Sequence, residues 1–143
     1  MINFYYYSFK EYQKFDKSVQ DQFTFLSTSY STPVYWSGME FAEFVPSKQL
    51  FQDACLEYKT SHFEERYKAQ IYGLNRSEII KKLNELSPDK DVVFLVWEDE
   101  TKGSERDIFI PWLTNSSICD LKNFSFSRKL EVLNNKCQNL FAI

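Results

Sequence analysis

The chain has 143 residues, the size of one ordinary domain, and its 43% hydrophobic and 26% charged residues exclude a disordered polymer. Its net charge is −3 and no run of Lys or Arg exceeds two, so it lacks the concentrated basic face that non-specific nucleic-acid binding needs. No apolar run approaches the ~20 residues that span a membrane.

The first segment, Met1-Ile2-Asn3-Phe4-Tyr5-Tyr6-Tyr7, is β-rich and is expected to be the first strand. It lacks the basic n-region and small-residue cleavage site of a signal peptide. Phe9, Tyr12 and Phe15 then recur at helical spacing among polar residues, which predicts a short amphipathic helix. Phe23–Leu26 reads as a second short strand. From Ser27 to Val45 the chain is rich in Ser, Thr and aromatics and holds Pro33 and Gly38, so it is expected to be loop. An irregular segment of that length in a small domain is often functional, which makes it one expected wall of a site.

Pro46-Ser47 opens a helix with Leu50, Phe51, Ala54, Cys55 and Tyr58 on one face, where Cys55 reads as a small core hydrophobe. Thr60 or Ser61 can cap the next helix, with Glu64 completing a capping box. Its stripe is Phe63, Tyr67, Ile71 and Tyr72, and Gly73 suits a left-handed stop. Asn75-Arg76-Ser77-Glu78 starts a third helix, in which Ile79, Ile80, Leu83 and Leu86 form the buried face before Ser87-Pro88-Asp89 ends it.

Val92–Trp97 is an unbroken apolar run, the pattern of a strand buried on both faces at the centre of an α/β sheet. Ile79, Leu83 and Leu86 are expected to pack against that sheet. Ile108–Leu113 is ambiguous: Ser104 or Asp107 could cap a helix there, but Pro111 lacks the backbone donor that an interior turn uses. A turn follows near Asn115-Ser116-Ser117, and residues 127–141 carry Leu130, Leu133, Cys137, Leu140 and Phe141 at helical spacing. The fold class is therefore α/β: one domain over residues 1–143, with a small, mostly parallel sheet flanked by helices.

Two features colour the function. The 14 Phe, 9 Tyr and 3 Trp against only 3 Gly imply a core dominated by rings. The 3 cysteines, Cys55, Cys119 and Cys137, are widely spaced without a C-x-x-C pair, which fits a reducing cytoplasm better than a disulfide framework or a zinc site.

Ligands of open α/β sheets gather beyond the carboxyl ends of the strands, so the turn from Trp97 to Asp107 is the expected site. Glu98, Asp99 and Glu100 could share a proton or bind a divalent cation, or could simply be a solvated loop. Gly103-Ser104-Glu105-Arg106 could cradle an anion with a hydroxyl, amide donors and a guanidinium, though the nearby acids weaken the attraction. Arg106 could equally be the structural partner of Glu98, within hydrogen-bonding distance across the turn. The ligand-binding set is then Glu98, Ser104, Arg106, Trp36 and Trp97, with one or other indole covering an apolar part. Tyr30, Tyr35 and Trp36 could instead only cover the sheet. His62, the single histidine, falls on a surface helix and is a poor catalytic group there. No catalytic residue, metal centre or cofactor is expected.

Thr32-Pro33, Trp36, Pro46-Ser47, Phe63-Glu64-Glu65-Arg66-Tyr67, Leu74, Ile79, Leu83, Val92–Glu98 and Trp112-Leu113 follow one order and spacing. That order resembles the small α/β family catalogued as domain of unknown function 488, over about Phe25 to Leu113. The resemblance implies a central strand ending Leu-Cys-Tyr/Trp-Glu and a following helix opening Cys-His-Arg. Here those places hold Leu95-Val96-Trp97-Glu98 and Ser104-Glu105-Arg106, so the Glu and Arg match while both cysteines and the histidine are replaced. Loss of the thiol and imidazole, the groups best suited to chemistry near neutral pH, implies a scaffold without the family's presumed chemistry. The expectation is a small cytoplasmic accessory protein, of the kind a phage or other mobile element carries, that binds a host or defence protein. The alternative is an enzyme or binding module for a nucleotide-like anion at the 98–106 turn.

Overall fold

The computed structural model describes residues 2–141, with the side chains of Val19 and of residues 134–141 left aside. Four strands form one sheet in the order β1-β4-β2-β3, parallel throughout: β1 is Phe4–Ser8, β2 Phe23–Ser27, β3 Met39–Glu40 and β4 Asp91–Val96. Strand β4 is central, as its unbroken apolar run requires, with Val92 to Val96 all fully buried. It pairs with β1 from Phe4↔Val92 to Ser8↔Val96 and with β2 from Phe23↔Asp91 to Ser27↔Leu95. The expected loop from Ser27 to Val45 does contain β3 and a 3₁₀ turn at Ala42–Phe44. A strand of two residues is too short to show a period in the sequence.

Helix α1 (Phe9–Gln13) starts directly from β1, where the Ser8 hydroxyl accepts from the Glu11 amide at 3.1 Å. Between β3 and β4 lie α2 (Lys48–Leu56), α3 (Tyr58–Ser61), α4 (Phe63–Tyr72) and α5 (Arg76–Leu86). Ser47 and Asn75 cap α2 and α5 through their side chains, as expected from their sequences. After β4 come α6 (Arg106–Thr114), a 3₁₀ segment at Ile118–Phe124, and α7 (Phe126–Phe141).

Side chains alternate across β4, and this alternation builds two cores. Val92, Phe94 and Val96 face Tyr67, Ile71, Ile79, Leu83, Phe109 and Leu113 of α4, α5 and α6. Val93 and Leu95 face the other way, onto Phe9, Phe15 and Phe126. Rings dominate both cores, and Phe94 lies within 5.5 Å of Phe44 and 5.2 Å of Phe109 by ring centroids, while Tyr30, Tyr35, Tyr58, Tyr72 and Trp97 stay exposed. Among the described residues no helix is long and apolar enough to cross a membrane.

Several local expectations are corrected. Leu86 is 40% exposed, so only Ile79 and Leu83 of its helix reach the core, with Ile80 packed at its edge. Cys55 is exposed rather than a core hydrophobe, because α2 buries only Leu50 fully. Neither Thr60 nor Ser61 caps α4; His62 stands at that junction in the left-handed region, at φ 52°, without a side-chain cap bond. Gly73 is not a left-handed stop, since its φ is −78°. Pro111 sits inside α6, where the helix does without one amide donor. Asn115, at φ 54°, then ends α6 with its amide on the Pro111 carbonyl. Cys137, Leu140 and Phe141 have side chains outside the described set, and Met1 lies outside the described residues.

Candidate functional site

Strand β1 leads to α1 on one face of the sheet, whereas its neighbour β4 leads to α6 on the opposite face. Connections leaving on opposite faces open a crevice at the strands' carboxyl ends. The turn after β4 bounds a cleft of about 530 Å³, within the usual ~300–1,000 Å³ range for ligand sites, on the side of α2, α4 and α6, with no residue of β1 or α1 in its lining. Its walls come from Phe51 and Cys55 of α2, Tyr58, Phe63 of α4 and Ile108 of α6. Its charged lining comes from Glu64, Glu98, Glu105 and Asp107, with Lys68 as the one cation.

The expected site residues divide. Glu98 and Ser104 line the cleft together. Trp36 lies on the α1 side of the sheet, its ring 5.7 Å from Phe9 and 5.4 Å from Tyr12, and it borders a second cleft of about 550 Å³. Gly38 makes room for that indole, because a Cβ there would stand 2.5 Å from the Trp36 ring. Trp97 lines neither cleft; its Nε1 donates to the Ser31 carbonyl at 2.6 Å and pins the loop over the strand ends. Tyr35 pins the same loop by donating to the Phe9 carbonyl at 2.8 Å, and Tyr30 stacks on Phe51 at 4.3 Å. The loop aromatics therefore cover the sheet and do not close over Glu98 and Ser104.

Arg106 turns its two terminal nitrogens into the turn and does not line the cleft. It is 2% exposed, and its guanidinium donates to three carbonyls: Nη1 to Glu98 at 2.8 Å, Nη2 to Asp99 and to Lys102 at 2.7 Å each. It also lies 4.9 Å from the Tyr6 ring centroid, a cation–π distance. Arg106 does close the turn, but through the backbone of Glu98 and not its carboxylate. The amide cradle is spent too, since Arg106 N–H reaches the Ser104 hydroxyl while Asp107 and Ile108 N–H donate to the Ser104 and Glu105 carbonyls.

What remains is a carboxylate floor. Glu98 Oε2 is fully buried and has no hydrogen-bond partner. Burial, and next the charge of Glu98, push the Glu105 carboxyl above its ordinary range, although the Ser104 hydroxyl donates to it at 3.1 Å. Burial also raises the Tyr58 hydroxyl, with the charges of Glu64, Glu105 and Glu98 adding to it. Among the described residues no cluster of three or more His, Cys, Asp or Glu is arranged to hold a metal. His62 stands outside the cleft, 3.8 Å from Glu65 on the surface. The wall residues Cys55 and Tyr58 were visible only as the end of one apolar helical face, which the structure divides between α2, ending at Leu56, and α3, starting at Tyr58.

The raised Glu105 fixes a pH signature. Its stabilising contribution is full below its unfolded value of 4.5 and is lost as pH rises through the raised folded value. Asp16, Asp53 and Asp99 are lowered by hydrogen bonds, so their contributions exist above 3.8 and vanish on acidification below it. Glu105→Gln and the unaltered protein should therefore melt alike at about pH 4, and the variant should melt higher as pH rises towards 7. Thermal melts across that range decide it, and curves that stay parallel would exclude the raised carboxyl.

The chain matches no family model, no curated protein and no solved structure.

Proposed function

We propose that the protein is a non-catalytic binding module that engages a partner protein through the cleft at the carboxyl end of β4. One observation carries this reading: both terminal nitrogens of the guanidinium that an anion would need are committed to three carbonyls and its buried Nε faces Asp107 at 3.7 Å, while carboxylates line the open space. A nucleotide-like anion would meet repulsion there, so the alternative of an anion site at the 98–106 turn loses ground. A remote relationship to the domain of unknown function 488 family stays part of the proposal. At the three places where that family carries Cys, Cys and His, this chain has Val96 in the core and Ser104 and Glu105 at the cleft.

Calorimetric titration with nucleotides and inorganic phosphate, with and without magnesium, tests the reading from one side. No binding is expected, and submillimolar binding would overturn it. From the other side, affinity-tagged protein and its Ala54→Trp variant, which places an indole in the cleft, are used as parallel baits in cells that express the protein naturally. A partner held by the unaltered protein and lost by the variant is expected; identical captures would overturn the cleft as the interface.

A further inference from the structure

We infer that the cleft beside Glu98 and Glu105 receives an arginine side chain of the partner protein, laid against Tyr58 and Phe63. The inference rests on the binding-module reading and adds the chemistry of its occupant. Four carboxylates, Glu64, Glu98, Glu105 and Asp107, line the cleft against Lys68, so charge complementarity selects a cation. Glu98 Oε2 is buried without a donor, a cost that an entering N–H group can relieve after a small shift of the side chain. The walls are aromatic: Tyr58 and Phe63 stand 5.7 Å apart, and Phe63 stacks on Tyr67 at 5.9 Å with planes 10° apart.

Planar aromatic walls over a carboxylate floor fit a guanidinium better than an ammonium. Guanidinium is flat, stacks on rings, sheds water more readily and offers donors in a fork. The source of the arginine is a protein and not the free amino acid, because the mouth itself is apolar and open. Tyr58 is 55% and Ile118 58% exposed, and residues flanking the arginine would cover them. Asp107 contributes least, since its Oδ1 faces Arg106 Nε at 3.7 Å and its Oδ2 accepts from the Ser104 amide at 3.3 Å.

The test is calorimetric titration of the full chain with a blocked hexapeptide, arginine at its centre and leucine on either side. Matched peptides carry lysine or citrulline, the neutral isostere, at the same place, and free arginine is a further titrant. Submillimolar binding is expected for the arginine peptide, about fivefold weaker for lysine and at least roughly tenfold weaker for citrulline, the size of one charge-assisted contact. Glu98→Gln and Tyr58→Ala should each weaken the arginine peptide by about fivefold or more. Lys68→Gln lies on the exposed rim and should strengthen it about twofold, which keeps the test alive if a cleft variant fails to fold.

Equal affinity for citrulline, or free arginine binding as well as the peptide, overturns the inference. So does an absence of arginine-peptide binding at millimolar concentration. If a partner is nevertheless captured and lost in Ala54→Trp, the binding module stands and only its arginine occupant fails.

Discussion

Arg106→Ala should lower stability by about 3–5 kcal/mol and the melting temperature by on the order of 10 °C. The guanidinium is buried and satisfies three carbonyls of the turn between β4 and α6, from Glu98, Asp99 and Lys102. Removing it leaves those acceptors facing a hole, and a buried polar group without a partner costs about 1–3 kcal/mol. The cation–π contact with Tyr6 is lost at the same time. Arg106→Lys should recover only part of the loss, because one ammonium cannot reproduce the fork. Glu98→Gln should be close to neutral for stability, since Arg106 holds the carbonyl of Glu98 and not its carboxylate. Denaturant unfolding of the three variants checks the set. A Glu98→Gln loss as large as that of Arg106→Ala would show that the carboxylate is the true partner.

The same residue marks how far the sequence can be read. That Arg106 would fasten the strand-to-helix turn follows from its type and place, since an interior arginine needs acceptors. Which acceptors it finds does not follow, because residue types advertise carboxylates and never backbone carbonyls. The buried run of β4 could be read because no other described strand hides five successive side chains, Val92 to Val96, although Trp97, expected to continue the strand, lies beyond it and is 48% exposed. Ser47 and Asn75 could be read as caps because capping is local, decided within three residues.

Misreadings arose where a long-range neighbour decides. Leu86 shares a helical stripe with Leu83, yet it is the last residue of α5 and stays 40% exposed. Cys55 and Tyr58 lie past the point where α2 leaves the core, and so line the cleft. Trp36 and Glu98 are close to the same strand ends in the chain's plan, but on opposite faces of the sheet. Sequence order places residues at an end of the sheet; only the direction each connection takes assigns the face.

Phe126→Ala should cost about 3–5 kcal/mol, the range for emptying a buried aromatic site. Phe126 is fully buried at the first residue of α7, with the rings of Phe23 at 4.8 Å, Tyr7 at 5.0 Å, Phe15 at 5.7 Å and Phe25 at 5.8 Å. These contacts are edge-on, an arrangement that adds about 0.5–1.5 kcal/mol per pair beyond area burial. Among the described residues, the other contacts at the start of α7 are Leu130 packed partly on the same cluster, the bridge from Tyr6 to Ser125, and the Ser125 and Ser127 hydroxyls on the Glu100 and Glu11 carboxylates. The cost should therefore fall unevenly. Hydrogen exchange in Phe126→Ala should show the amides of α7 opening first, while β4 stays protected until the whole domain unfolds. Phe126→Leu keeps an apolar side chain at the site and should lose distinctly less. If α7 and β4 lose protection together, the ring acts only as filling for the second core. If α7 opens alone, Phe126 is the latch that makes the last helix part of the fold.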